Sequence, residues 1–332
     1  MKKPIWLSLQ IGVSTLFVWL AFREISWEEL SNSFVGVSAG LVLVSMVLNL
    51  FSCWLRAVRW QFLMKPIQGI SQHRVFSALM IGFMVNNILP FRLGEIARAY
   101  ALKNSDGISF SAVMGTVVIE RILDVFFLLI IFASLLFWFP FPDWVRAGSL
   151  LIGLVIAGAT LFLWVLARRS EIAFSWVRRV SSVFGQSTAD RAESVMRSFV
   201  NGVRFSHSIR DYAMISVLSV FIWLSYIYVI HTMMLACHFD AAGLGLGDAT
   251  VVMVFTSFAI MIPAAPGYVG TFHEIAKQSL MALHIGRGAA LAWAILFHAA
   301  HYVLITGAGF VYFLTNRFRL GDAFESVSPS AT

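Results

Sequence analysis

The chain has 332 residues, of which 59% are hydrophobic and only 12% charged, with a mean hydropathy of +0.82. A soluble domain carries about 25% charged residues, so composition excludes an ordinary aqueous globule. The net charge of +7 would suit nucleic acid, but the basic residues gather in one long loop and at the ends of apolar runs, which membrane topology explains better.

The alternation of an outer-membrane barrel is absent, and apolar runs long enough to cross a bilayer recur along the chain. The expected class is therefore an all-α polytopic membrane protein. Residues 5–22 follow Lys2 and Lys3 and lack an A-x-A cleavage pattern, so they read as a retained first span. Residues 39–64 form the second span, toward whose cytoplasmic end stand Arg56 and Arg59; these are expected to snorkel to headgroups, the alternative being that they guide a lipid head inward. Next come two shorter arms, 75–89 and 92–103, separated by Pro90. Residues 112–139 and 149–167 can each span, and residues 168–210 form an amphipathic loop with eight arginines. Residues 212–237 span again. Two more short arms follow, 249–262 and 271–283, joined by a turn containing Pro263, Pro266, Gly267 and Gly270. Residues 289–315 complete the set, and a polar tail, 321–332, is expected to be disordered.

The arginine-rich loop must be cytoplasmic by the positive-inside bias. Counting outward from it puts the loops on both sides of the first pair of arms on the cytoplasmic face, and those flanking the second pair outside. Arms of 12 to 15 residues reach only about 18 to 22 Å, too short to span. The sequence therefore predicts six full spans plus two re-entrant helical hairpins in one membrane domain, residues 1–320, with both termini cytoplasmic and the cell inner membrane as its location. The halves, about 39–139 and 212–315, repeat one pattern in opposite orientations. Pro90-x3-Gly94 leads into Glu95-Ile96-Ala97-Arg98, and Pro266-x3-Gly270 leads, after three residues, into Glu274-Ile275-Ala276-Lys277. Inverted-topology repeats with broken helices are typical of transporters.

Each returning arm would point its N-terminus, with free N–H groups and a positive dipole end, toward the membrane centre, which favours an anion such as phosphate. Ionisable side chains accompany the breaks: Arg92, Arg98, Arg121 and Lys277 against Glu95, Glu120, Asp124 and Glu274. Charges inside a membrane are by default functional, although Glu95 with Arg98 and Glu274 with Lys277 stand at i,i+3 and could merely neutralise each other. Glu120 and Asp124, one turn apart, call for a basic partner or a raised pKa. The candidate substrate-binding set is Arg92, Gly94, Glu95, Arg98, Glu120, Arg121, Asp124, Pro266, Gly267, Gly270, Glu274 and Lys277. His273, His298 and His301 are too loose a group for a metal site, Cys53 and Cys237 fall in apolar runs, and no phosphate loop, nucleophile elbow or H-E-x-x-H helix occurs. No catalytic residue, metal or cofactor is expected.

The run Asn87-x-Leu89-Pro90-x-Arg92-x-Gly94-Glu95-x-x-Arg98, the group Glu120-Arg121-x-x-Asp124 and the run Pro263-x-x-Pro266-Gly267-x-x-Gly270 resemble motifs of the lysylphosphatidylglycerol synthase transmembrane-region family, also called flippase-like. Leu55-Arg56-x-x-Arg59-Trp60 resembles it too. The resemblance implies a protein that moves lipid between leaflets. In the multiple peptide resistance factor such a membrane portion handles aminoacylated phosphatidylglycerol, made by a separate soluble domain. Only a short tail follows Thr315 here, so synthase activity is not expected. The expected function is a flippase for an anionic or phosphate-bearing lipid, phospholipid or polyprenyl-linked, with membrane lipids as partners and no nucleic acid. A membrane-embedded transferase for lipid-linked substrates and a carrier of small soluble anions are the alternatives.

Overall fold

The computed structural model describes residues 3–23, 25–90, 92–137, 139–140, 208–261 and 266–316, with isolated positions between 158 and 197. The expected span at 149–167, most of the arginine-rich loop and the tail lie outside the described residues. Among the described residues there are helices and no strands. The helices are α1 (Lys3–Phe22), α2 (Trp27–Asn32), α3 (Ala39–Met64), α4 (Gln72–Ile88), α5 (Gly94–Asp106), α6 (Phe110–Leu135), α7 (Ile209–Ala236), α8 (Leu246–Met261), α9 (Thr271–Met281) and α10 (Arg287–Thr315).

By length and composition α3, α7 and α10, of 26, 28 and 29 residues, can cross a membrane. At 1.5 Å per residue each exceeds a hydrocarbon core of about 30 Å. Apolar side chains are exposed along them, including Leu43, Val47 and Phe51 on α3 and Val217, Val220 and Leu224 on α7, as expected of surfaces that meet lipid. The 26-residue α6 is as long as α3 but carries Glu120, Arg121 and Asp124 near its middle. These helices match the expected apolar runs to within a few residues at their ends. The six-residue α2 was not anticipated, although Ser26-x-x-Glu29 is a capping signature. Ser26 Oγ accepts from the Glu29 N–H at 3.1 Å, while the Glu29 carboxylate accepts from Gly288 N–H at 2.9 Å, in the first turn of α10.

The chain forms two compact units. One comprises Met1–Trp54, Leu79–Gly94 and Ile222–Arg319; the other comprises Leu55–Ala78, Glu95–Phe221 and Leu320–Thr332. In the first unit α9 packs on α1, α8 and α10. Buried hydroxyls tie α3 to α7: Ser45 Oγ donates to the Val229 carbonyl at 2.9 Å and Ser52 Oγ to Ser225 Oγ at 2.8 Å. In the second unit Trp60 Nε1 donates to Thr116 Oγ1 at 2.9 Å, joining α3 to α6, and Lys65 pairs with Asp211 at 2.9 Å.

Both expected helix breaks are present. Helix α4 stops at Ile88, ahead of Pro90, which has no N–H with which to continue it. The chain then doubles back: Asn86 Oδ1 accepts from the N–H of Gly94, the first residue of α5, at 2.7 Å. A Cβ at Gly94 would overlap the Gly82 carbonyl oxygen, so only glycine lets α5 start this close to α4. The second break runs from Met261 to Thr271, with a short 3-10 turn at Pro266–Tyr268. Replacing Gly94 by Ala is expected to cost at least ~2 kcal/mol, since backbone must move to admit the methyl group. A thermal or denaturant midpoint in detergent, compared with Gly40→Ala, where the added Cβ meets only Ser38 Oγ at 4.0 Å, measures this.

Candidate functional site

Helix α3 places Arg56 and Arg59 three residues apart, and α6 places Glu120 and Asp124 four apart, so each pair lies on one helical face. The two faces meet. Arg56 Nη2 lies 2.6 Å from Glu120 Oε1 and 3.3 Å from Asp124 Oδ2, and Arg59 forms a short hydrogen bond to Asp124 Oδ1 while donating to Ser219 Oγ at 3.0 Å. Arg98, brought in by α5, sits 2.8 Å from Glu120 Oε2, and Arg121 lies 3.3 Å from Glu120 Oε1. Glu120 thus has four guanidinium groups within 4 Å, Arg59 completing the set at 3.9 Å.

The cluster has a buried base and an open rim. Arg59 and Glu120 are 0% exposed and Arg98 2%, whereas the side chain of Arg121 is 37% exposed. Four guanidiniums face two carboxylates, and a positive excess remains even when Glu95, within electrostatic reach of Arg98, is counted. The Arg98 guanidinium stacks over the Trp60 ring at 4.6 Å. Its approach to Glu120 is off the line of a hydrogen bond, so Nε, Nη1 and Nη2 of Arg98 are all buried donors without a hydrogen-bond partner. A guanidinium is made to fork onto an oxyanion, and here Nε and Nη2 face no acceptor while Nη1 stays beside Glu120.

The two breaks come together within the first unit. Arg92, with φ of 52°, donates to the carbonyl of Ile260 at the end of α8 and lies over the Tyr268 ring at 5.6 Å. Tyr302 of α10 donates its hydroxyl to the Asn87 carbonyl at 3.2 Å, and Asn87 Nδ2 donates to Thr306 Oγ1 at 2.9 Å. A Cβ on Gly267 would lie 2.6 Å from the Tyr302 ring and 3.3 Å from the Asn87 carbonyl oxygen, so the two breaks are in contact. His298 Nε2 is 2.8 Å from the Gly267 carbonyl.

The expected site residues thus fall into separate roles. Arg98, Glu120, Arg121 and Asp124 share the ionic cluster, and Arg92, Gly94, Pro266, Gly267 and Gly270 sit at the breaks. Glu95 Oε2 is buried without a hydrogen-bond partner, and the charge partner of Arg98 is Glu120. The pairing of Glu274 with Lys277 is present at 2.7 Å. Lys277 Nζ also donates to the carbonyls of Leu20 and Ala21 at 2.9 and 3.1 Å, so its charge faces Glu274 while two of its donors hold the C-terminal end of α1. Arg56 and Arg59 were expected to reach outward to headgroups; instead they turn inward, because the carboxylates on α6 leave a deficit of positive charge that only neighbouring helices can fill. The signal for this was the unbalanced Glu120/Asp124 pair. Among the described residues no group of three or more His, Cys, Asp or Glu is close enough to hold a metal ion.

Apolar helices that bury a polycationic cluster, with two of them broken where proline and glycine fall, define an integral membrane protein of all-helical type. The chain belongs to the family of the lysylphosphatidylglycerol synthase TM region, whose profile matches residues 7–309. It is similar to the UPF0104 membrane protein MJ1595 of Methanocaldococcus jannaschii, 20% identical over 91% of this chain and 92% of the relative. A UPF0104 membrane protein of Methanothermobacter thermautotrophicus is 23% identical over 70% of this chain and 73% of its own length, and PH1989 of Pyrococcus horikoshii is 26% identical over 55% and 56%. No solved structure matches the chain.

Removing the central carboxylate leaves buried guanidiniums facing one another. Glu120→Gln is expected to cost about 3 to 5 kcal/mol, the range for breaking a buried ion pair. Arg121→Gln at the rim is expected to cost under about 1 kcal/mol, because its charge is screened by solvent. Unfolding midpoints of the two variants in one detergent test the ordering.

Proposed function

We propose that the protein is a flippase, which receives the anionic, phosphate-bearing head of a membrane lipid at the arginine cluster and lets it pass between leaflets. The observation that carries this reading is the positive excess around Glu120, with the buried Arg98 donors unspent and Arg121 at an open rim. The buried arginines are matched by Glu95, Glu120 and Asp124, and the one surplus cation, Arg121, stands where solvent or a ligand reaches it. A phosphate supplies both the missing charge and the missing acceptors. The family name, which refers to a phospholipid synthase, supports a lipid head as the anion's source. In this reading the chain has six spans and two re-entrant hairpins in an inverted repeat, lies in the cell inner membrane with both termini cytoplasmic, and performs no covalent chemistry.

Purified protein in liposomes carrying a fluorescent, dithionite-quenchable phospholipid tests the proposal. Leaflet exchange is expected to exceed that of empty liposomes and to fall about ten- to hundredfold in Arg121→Gln, the loss of one charge-assisted hydrogen bond. Exchange no faster than in empty vesicles would sink the reading.

A further inference from the structure

The first turn of α9 is closed in an unusual way. In a capping box the N-cap side chain bonds the N3 backbone N–H, and an N3 Glu or Gln reaches back to the N-cap N–H. The N-cap of α9 is Gly270, which has no side chain to contribute. Its φ is 88°, and a Cβ there would come within 2.5 Å of the Ser14 carbonyl oxygen and 3.0 Å of the Val18 nitrogen, so α1 packs where a capping side chain would stand. Only the return half of the box remains, and His273 occupies N3. Its Nδ1 lies 3.2 Å from the Gly270 nitrogen and accepts that N–H. An imidazole nitrogen accepts only when it carries no proton; an imidazolium has donors on both nitrogens.

A second histidine holds the same turn. The His298 ring is edge-on to that of His273, with centroids 4.8 Å apart. A carbonyl can only accept, so His298 must carry its proton on Nε2 to bond Gly267 O. The two imidazoles therefore grip the second break at both its glycines, one as donor and one as acceptor, and a charge on both at this separation is disfavoured.

Few other titratable groups face the pair. On α9, Glu274 and Lys277 are already joined at 2.7 Å. On α10, His301 and Tyr302 occupy the adjoining turn, His301 Nδ1 lying 2.7 Å from the Phe297 carbonyl, with Arg287 and Tyr312 near the helix ends. Helix α1 has no titratable side chain between Pro4 and Phe22, and α8 has only Asp248, bound to the Gly245 N–H at its own start. From the first break, Arg92 lies over Tyr268. Among the described residues no carboxylate forms an ion pair with His273.

We propose that His273 and His298 form a proton-binding site that opens the second helix break: uptake of one proton at His273 Nδ1 abolishes the Gly270 N–H bond and releases the start of α9. The proton comes from water and leaves by the same nitrogen when the cap re-forms. That this movement drives lipid passage rests on the flippase reading; the proton-operated cap itself does not.

The test is hydrogen–deuterium exchange of the full-length protein in lipid nanodiscs, followed for peptides covering Gly267–Glu274 between about pH 3 and pH 8, a range wide enough for an imidazole inside a protein, and corrected for intrinsic exchange. Protection in the wild type is expected to fall roughly two- to tenfold on acidification, the equivalent of one hydrogen bond. His273→Gln restores the acceptor that an N3 position ordinarily uses, without a titration, so protection should persist at both ends of the range. His298→Gln, which leaves His273 in place, should retain the transition at a shifted midpoint. A wild type without the transition, or a His273→Gln protein that keeps it, overturns the proposal. Leaflet exchange measured on the same protein separates the two ideas. Exchange without a transition removes only the proton site, and a transition without exchange removes only the flippase reading.

Discussion

A carboxylate withdrawn from water must be surrounded by charge of the opposite sign, and Glu120 is surrounded by four guanidiniums. This requirement organises the second unit. It fixes the rotation of α3, because Arg56 and Arg59 must face α6. It fixes where α5 returns, because Arg98 must reach the far oxygen of the same carboxylate. Trp60 follows from the same register, its ring lying beneath Arg98 while its N–H meets Thr116. None of these helices could turn about its axis without stranding a buried charge.

The first unit answers a different demand. Where a helix breaks, its backbone N–H and C=O groups lose their helical partners and need others. Asn86 takes the Gly94 N–H, Tyr302 and His298 reach the Asn87 and Gly267 carbonyls, and Arg92 caps the end of α8 at Ile260. Each partner comes from the opposite break, from α10 or from the same turn, so the two interruptions are solved together. The junction is close-packed as well as hydrogen-bonded, since a methyl group at Gly94, Gly267 or Gly270 would overlap a neighbour.

Much of this was legible in the sequence. Apolar length located α3, α7 and α10, and Pro90 and Pro266 with their following glycines located the breaks, because proline and glycine act on the backbone at their own positions. Side-chain pairing was less accessible. Arg56 and Arg59 stand near the end of an apolar run, where snorkelling is the usual fate, and nothing local reveals that Glu120, some 60 residues later, claims them. Lys277 fits its i,i+3 partner Glu274, but its contact with α1 depends on tertiary packing alone. The cap at His273 becomes readable only once Gly270 is known to be the N-cap, a boundary that periodicity does not set to the nearest residue.

The bond from Lys277 to the Leu20 carbonyl joins positions 257 residues apart in the chain. At a synthesis rate of about 5 to 20 residues per second, α1 has entered the bilayer roughly 10 to 50 s before its ammonium partner leaves the ribosome. Until then its last carbonyls must stay hydrated at the interface or borrow another donor. Helix α1 is therefore made long before it is locked, and a chain interrupted before α9 would be left in the membrane with that end unsealed, a ready mark for quality-control proteases.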